Sequence, residues 1–127
     1  MHKNQDLGLL LLRLGLAAVF FFHGLDKLNN IDGVIGFFSS LGLSAFFAYL
    51  VAIVETLGGL ALFLGLWVEK TALALSVVML IAIYLVKFSK GFFSGYEFDL
   101  MLLLSALAIS IMGSGSYTVK HWLKNRN

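Results

Sequence analysis

The sequence predicts an all-α membrane protein, an antiparallel four-helix transmembrane bundle with a short interfacial helix between its first two spans. Three observations carry this. Of 127 residues, 60% are hydrophobic and 13% charged, and the mean hydropathy is +0.94, whereas soluble domains run at roughly 25% charged. The apolar residues fall into four runs, each near the ~20 residues that cross a bilayer as a helix. The charges gather at the edges of those runs, so a single domain over residues 1–127 takes up the chain and leaves no soluble domain over.

Helix one is predicted over residues 7–28. Arg13, Ala17, Phe20, Gly24 and Lys27 recur at helical spacing on one stripe, while leucine and phenylalanine fill the other faces. A stripe holding two basic residues belongs inside the bundle, away from lipid. The start, Met1-His2-Lys3-Asn4-Gln5-Asp6 before an apolar run, has the outline of a signal peptide. Phe20-Phe21-Phe22-His23 stands where a small-x-small cleavage pattern would be, so the first helix is expected to stay uncleaved. Asn29-Asn30-Ile31-Asp32-Gly33 reads as a turn, with Asp32 able to cap the segment after it. Residues 33–42 are too few to span but carry Val34, Ile35, Phe37 and Phe38, which predicts a short helix at the interface or, in a sharper version, a re-entrant lid.

Helix two, residues 45–67, is the stretch around which the rest is arranged. Glu55 sits near its middle, where an acidic residue costs roughly 3 kcal/mol to insert. Ala48, Ala52, Glu55 and Gly59 share its stripe, so the carboxylate lies among side chains small enough to let another helix come close. Val68-Glu69-Lys70 reads as a tight turn. Helix three comes next over residues 71–88, nearly featureless apart from Ser76, Tyr84 and Lys87, and reads as the lipid-facing packing member. Residues 89–96 form a loop whose glycines allow unusual dihedrals and whose aromatics suit the headgroup zone. Helix four is predicted over residues 97–113, opening with Glu97 and Asp99 where a helix N-terminus favours negative charge. Gly113-Ser114-Gly115-Ser116 stops it. The tail carries Lys120, Lys124, Arg126 and Trp122 and reads as a basic amphipathic surface segment rather than a fifth span.

Composition also excludes. There is no cysteine, which removes thiol–disulfide chemistry, iron–sulfur clusters and thiolate metal sites. There is no proline, so helix breaks have to come from the 13 glycines or from polar residues. The net charge of +2 is scattered, without the concentrated basic face that nucleic-acid binding requires. Four spans put both termini on one side. That side holds Lys3, Lys70, Lys120, Lys124 and Arg126 against Lys27, Lys87 and Lys90 on the other, which favours cytoplasmic termini.

Depth decides which polar groups can meet. Helical rise places Arg13 about 9 Å and Glu55 roughly 16 Å in from the cytoplasmic ends of their helices, a gap of about 7 Å that an arginine can lean across. An Arg13–Glu55 ion pair is therefore expected, either setting helix register or lining a pocket in which protonation of Glu55 matters. A second group gathers at the outer end: His23, Asp26, Lys27, Lys87, Glu97 and Asp99. Glu97 and Asp99 are about 200° apart on a helix, so one of them can face inward, and Ala108 on nearly the same stripe favours Glu97. The cluster reads either as ordinary charges marking the membrane edge or as part of a site. His23 has no second histidine at similar depth with which to hold a haem. A metal site from His23, Glu97 and Asp99 has no recognisable spacing; a proton-accepting histidine beside a ligand headgroup suits it better.

The motifs resemble, over nearly the full length, the DoxX family of small four-helix membrane proteins. The resemblance rests on Arg13-Leu14-Gly15-Leu16, Phe22-His23-Gly24-Leu25-Asp26-Lys27-Leu28, Glu55-Thr56-Leu57-Gly58-Gly59-Leu60, Gly95-Tyr96-Glu97 and Gly113-Ser114-Gly115, in that order. The family pattern usually continues with a Ser-Leu-Asp-like segment, whereas Tyr117-Thr118-Val119 stands here. The resemblance implies an antiparallel bundle in the bacterial cytoplasmic membrane, and the positions that carry over are Arg13, Lys27, Glu55 and Glu97. It also implies redox association, since the name-giving members are subunits of a thiosulfate:quinone oxidoreductase.

The residues leave three readings open. In the first, the chain is a membrane subunit of a redox complex, with no intrinsic cofactor but a bound quinone, held by Arg13 and Lys27 beside aromatics such as Phe20 while Glu55 handles a proton; His23 and Glu97 complete the ligand-binding set. Electrons would then come from a protein partner or a substrate-borne centre. In the second, it is a non-enzymatic scaffold or assembly factor that holds a partner or a second copy. In the third, it carries a small solute or protons, although no inverted repeat is visible.

Overall fold

The computed structural model describes residues 2–127. The chain runs through α1 (His2–Asn29), α2 (Ile31–Ser40), α3 (Ala45–Leu64), α4 (Val68–Ala82), α5 (Glu97–Met112) and α6 (Val119–Lys124). A wide π-helical turn and a tight 3₁₀ turn prolong α4, so its rod reaches Lys90. Four segments are long and apolar enough to cross a membrane: His2–Asn29, Ala45–Leu64, Val68–Lys90 and Phe92–Met112. The bundle predicted from sequence is the fold observed.

Its packing inverts that of a soluble bundle. The fully buried positions are mostly small or polar, including Ala48, Ala52, Ala72 and Ala106 alongside Arg13, Glu55 and Ser76, while Leu11, Phe22, Leu57 and Phe63 stand on the outside. Where the surroundings are as apolar as leucine, close approach of backbones rather than burial of large side chains holds helices together. The tightest pairings are α1 with α3 and α4 with α5, joined through α3 and α4. A Cβ on Gly59 would lie 2.5 Å from the Phe21 amide nitrogen, and one on Gly24 2.5 Å from that of Thr56. Only glycine lets α1 and α3 cross this closely.

Several boundaries differ from expectation, each for a local reason. α1 starts before residue 7, taking in the polar residues from His2 onward. α3 stops at Leu64 rather than Trp67 because Gly65 is left-handed (φ 76°), and the Leu66 amide then donates to Ala61 O at 2.9 Å. Trp67 is also left-handed, and the two completed turns reverse the chain by Val68. Val68-Glu69-Lys70 is thus the first turn of α4, not a turn between helices, and Glu69 meets the favourable end of its dipole. α4 is not merely a lipid-facing member: Ala72, Leu75, Ser76 and Met79 are buried, and all but Ser76 join Phe20, Leu62 and Ile109 in one hydrophobic core. α2 has no buried residue and packs on the outside of α3 and the end of α1.

Candidate functional site

Both predicted stripes are buried, and they face each other. Arg13, Ala17, Phe20 and Gly24 of α1 are buried, as are Ala48, Ala52, Glu55 and Gly59 of α3. The neighbours of Gly24 and Gly59 fix the antiparallel register, with Gly24 level with Thr56 and Phe21 level with Gly59. That register decides the pairing. Glu55 meets Lys27, whose Nζ donates to Glu55 Oε2 at 2.7 Å, and among the described residues this is the one ion pair.

The expected Arg13–Glu55 pair does not form. Expectation set the start of the first helix level with the end of the second, but the close approaches of Gly24 to Thr56 and of Gly59 to Phe21 slide α1 past the end of α3, and this register separates the two side chains by about 18 Å of helical rise. Arg13 lies instead at the end of the bundle that holds both termini. Its Nε donates to Leu62 O at 2.7 Å, Nη1 to Ser114 O at 2.7 Å, and Nη2 to Tyr117 O at 2.8 Å and more distantly to Phe63 O at 3.4 Å. No carboxylate takes part. Leu62 and Phe63 belong to the last turn of α3, whose carbonyls carry the negative end of its dipole, and Leu62 O also accepts the Gly65 N–H at 3.3 Å. Arg13 thereby ties α1 to the end of α3 and to the loop after α5, and Ser116 Oγ donating to Asp6 Oδ2 at 2.6 Å adds a second tie.

Glu55 is near the middle of α3, about 15 Å from either end and so at mid-depth of a span. Its side chain is 3% exposed while that of Lys27 is 25% exposed. The carboxylate is closed off and the ammonium is reachable. Thr56, the next residue, turns its hydroxyl back onto Ala52 O at 2.7 Å and leaves no polar group competing for the pair.

The outer-end cluster is not drawn together. His23 is exposed on α1, its ring 6.3 Å from that of Phe98. Glu97 is half-buried, and its Oε1 accepts the Ser94 N–H at 3.2 Å, which steadies the left-handed Ser94 (φ 54°) in the turn before α5. Asp99 is half-buried like Glu97, and among the described residues neither has a side-chain partner from a second helix. Among the described residues, no three histidine, aspartate or glutamate side chains converge as metal ligands would. The carbonyls around Arg13 were not foreseen. Their signal in the sequence is two glycine-ended helices, at Gly65 and Gly113, finishing beside one buried cation.

Two surface grooves lie away from the ion pair. One, of about 340 Å³, lies between α1, the end of α3 and the tail, with Arg13 at its floor. The other, about 260 Å³, lies between α1 and α5, around Leu12, Gly15 and Ser105.

The model of the DoxX family matches residues 8–88. The chain is 38% identical over 114 residues to "Putative oxidoreductase CatD" of Bacillus subtilis (strain 168), which covers 90% of this chain and 85% of the relative. It is 28% identical over 131 residues to "Inner membrane protein YqjF" of Escherichia coli (strain K12), covering 99% of each. No solved structure matches significantly.

Proposed function

The chain belongs to the DoxX family, and from that premise we propose that it is an integral membrane subunit of a redox-associated complex in the bacterial cytoplasmic membrane, with the Lys27–Glu55 pair as its reactive polar centre. The observation that carries the reading is the asymmetry of that pair: a closed carboxylate 2.7 Å from an ammonium that keeps 25% of its side chain open. The exposed ammonium, near the end of α1 and joined to a carboxylate at mid-depth, is placed to meet an amphipathic molecule arriving from the bilayer. The name of the B. subtilis relative accords with this.

A quinone fits the donor chemistry, since an ammonium suits a carbonyl oxygen. The grooves around Arg13 and around Ser105 do not extend to Lys27, and the exposed part of the Lys27 side chain would meet a diffusing substrate at the bundle surface. When bound, a quinone would supply the electron-accepting chemistry. Lys27 would orient a carbonyl oxygen and donate a hydrogen bond to it, and Glu55 would hold the ammonium in place and take up or return the proton. Electrons would enter from a protein partner, because the chain has no cysteine with which to carry them. Cytoplasmic termini accord with the excess of Lys3, Lys70, Lys120, Lys124 and Arg126 at that end, all the more because Lys27, at the other end, is neutralised by Glu55.

The test is saturable binding of a short-chain benzoquinone and a short-chain naphthoquinone to the purified protein in lipid nanodiscs. Binding by the wild type that is lost in Lys27→Met and retained in His23→Ala supports the reading. No saturable binding, or binding indifferent to Lys27→Met in a folded variant, overturns it. A second reading, a non-enzymatic scaffold, is favoured by one observation: the donors of Arg13 are committed to backbone carbonyls of the fold. It predicts quinone-free protein that co-purifies with a partner whether or not Lys27 is present.

A further inference from the structure

The groove at the end of the bundle that holds the termini has a composition the ion pair does not explain. Leu10 and Leu14 of α1, Phe63 and Leu64 of α3, and Val119 and Trp122 of α6 wall it, so it is apolar on three sides. It lies where α3 ends, and its α1 and α3 walls continue into the membrane-crossing parts of those helices. The tail that closes it is held in place rather than loosely laid on: Arg13 binds Tyr117 O at 2.8 Å, and the Thr118 hydroxyl caps α6 by accepting the His121 N–H at 3.0 Å.

α6 itself is amphipathic. Val119, Trp122 and Leu123 fall on one side at helical spacing and Lys120 and Lys124 on the other. The Arg126 guanidinium stacks 4.8 Å over the Trp122 ring, the same ring that forms a wall of the groove. A cation therefore stands beside the apolar slot, and Lys120 and Lys124 are exposed on the same short helix. Of the acidic groups near this end, Asp6 is engaged by Ser116, and Glu69 sits against Gly113 on the side of α4.

We propose that this groove and the basic face of α6 form a binding site for an anionic phospholipid, one acyl chain in the slot and the phosphate among Arg126, Lys120 and Lys124. A soluble anion has no use for apolar walls running down into the bilayer. A zwitterionic lipid has no net charge for three exposed cations to attract. Basic residues beside a membrane helix add about fivefold in affinity each for anionic lipid, so the three together exceed what a chance encounter needs.

The experiment is native mass spectrometry of the full chain, released from mild detergent and titrated with phosphatidylglycerol or with phosphatidylcholine of the same acyl chains. The wild type is expected to bind phosphatidylglycerol at least about tenfold more tightly, and Lys120→Gln/Lys124→Gln/Arg126→Gln to lose most of that preference while keeping its helicity and thermal transition. Trp122→Ala is expected to weaken both lipids, because it opens the slot, and to keep the part of the preference that rests on Lys120 and Lys124 while losing the ring under Arg126. Equal binding of the two lipids by the wild type, a preference that survives in the triple variant, or full competition by inorganic phosphate would each overturn the site.

Discussion

The strongest test of the bundle is to take the Lys27–Glu55 pair apart one side at a time. Lys27→Met leaves a carboxylate 3% exposed at mid-depth with no cation, and removing one partner of a buried pair costs about 3–5 kcal/mol. Glu55→Leu leaves the ammonium behind, but Lys27 is 25% exposed and two residues from the end of α1, so it can extend towards the interface. Its loss should be smaller, about 1–2 kcal/mol. The double variant has no buried charge left and should come within about 1 kcal/mol of the wild type. Unfolding free energies of the four proteins in bicelles, measured by steric trapping, give the coupling directly. Two single losses that add up in the double variant would refute the pairing and with it the proposed reactive centre.

Other positions make separate demands. Arg13→Met leaves the carbonyls of Ser114 and Tyr117 without their Arg13 donor and Leu62 O with the Gly65 N–H alone, and a loss of about 2–4 kcal/mol in the same assay is expected, with Arg13→Lys in between because an ammonium cannot reach all three in one plane. Gly59→Ala should cost about 1–3 kcal/mol by forcing α1 and α3 apart, whereas Gly8→Ala, with nothing within 4 Å of the new Cβ, should be neutral or slightly stabilising by helix propensity. Because the natural chain has no cysteine, a cysteine placed at Ser116 reports sidedness. With cytoplasmic termini it stays unlabelled by an impermeant maleimide in intact cells and one at Ser39 is labelled; the reverse pattern inverts the orientation.

Much of the fold was legible because a bilayer imposes length and polarity on every span. The stripes of α1 and α3 could be read from spacing alone, since a buried charge or a glycine on a helix face constrains which way that face can turn. Register could not. It depends on where Gly24 and Gly59 let the backbones touch and on how many residues each helix devotes to its ends, and neither is visible in hydropathy. The glycine contacts slide α1 past the end of α3, and that offset moves Arg13 from the neighbourhood of Glu55 to the far end of the bundle. The same limit applies to Glu97, whose partner is the backbone of its own turn and not a side chain on another helix.

Position along a helix explains why two cations on one stripe have different partners. Arg13 lies where α3 and α5 end, and helix ends supply carbonyls and a negative dipole, so a buried guanidinium there is satisfied without a counter-ion. Glu55 lies in the middle of α3, where every backbone group is already paired within the helix and only another side chain can meet its charge. Lys27 is the basic residue of the facing stripe that comes level with it. A carboxylate at mid-helix thus demands a side-chain cation, while a cation at a helix end does not demand a carboxylate. For that reason the Lys27–Glu55 pair joins the helices by side chains at mid-span while the guanidinium of Arg13 joins their ends through the backbone.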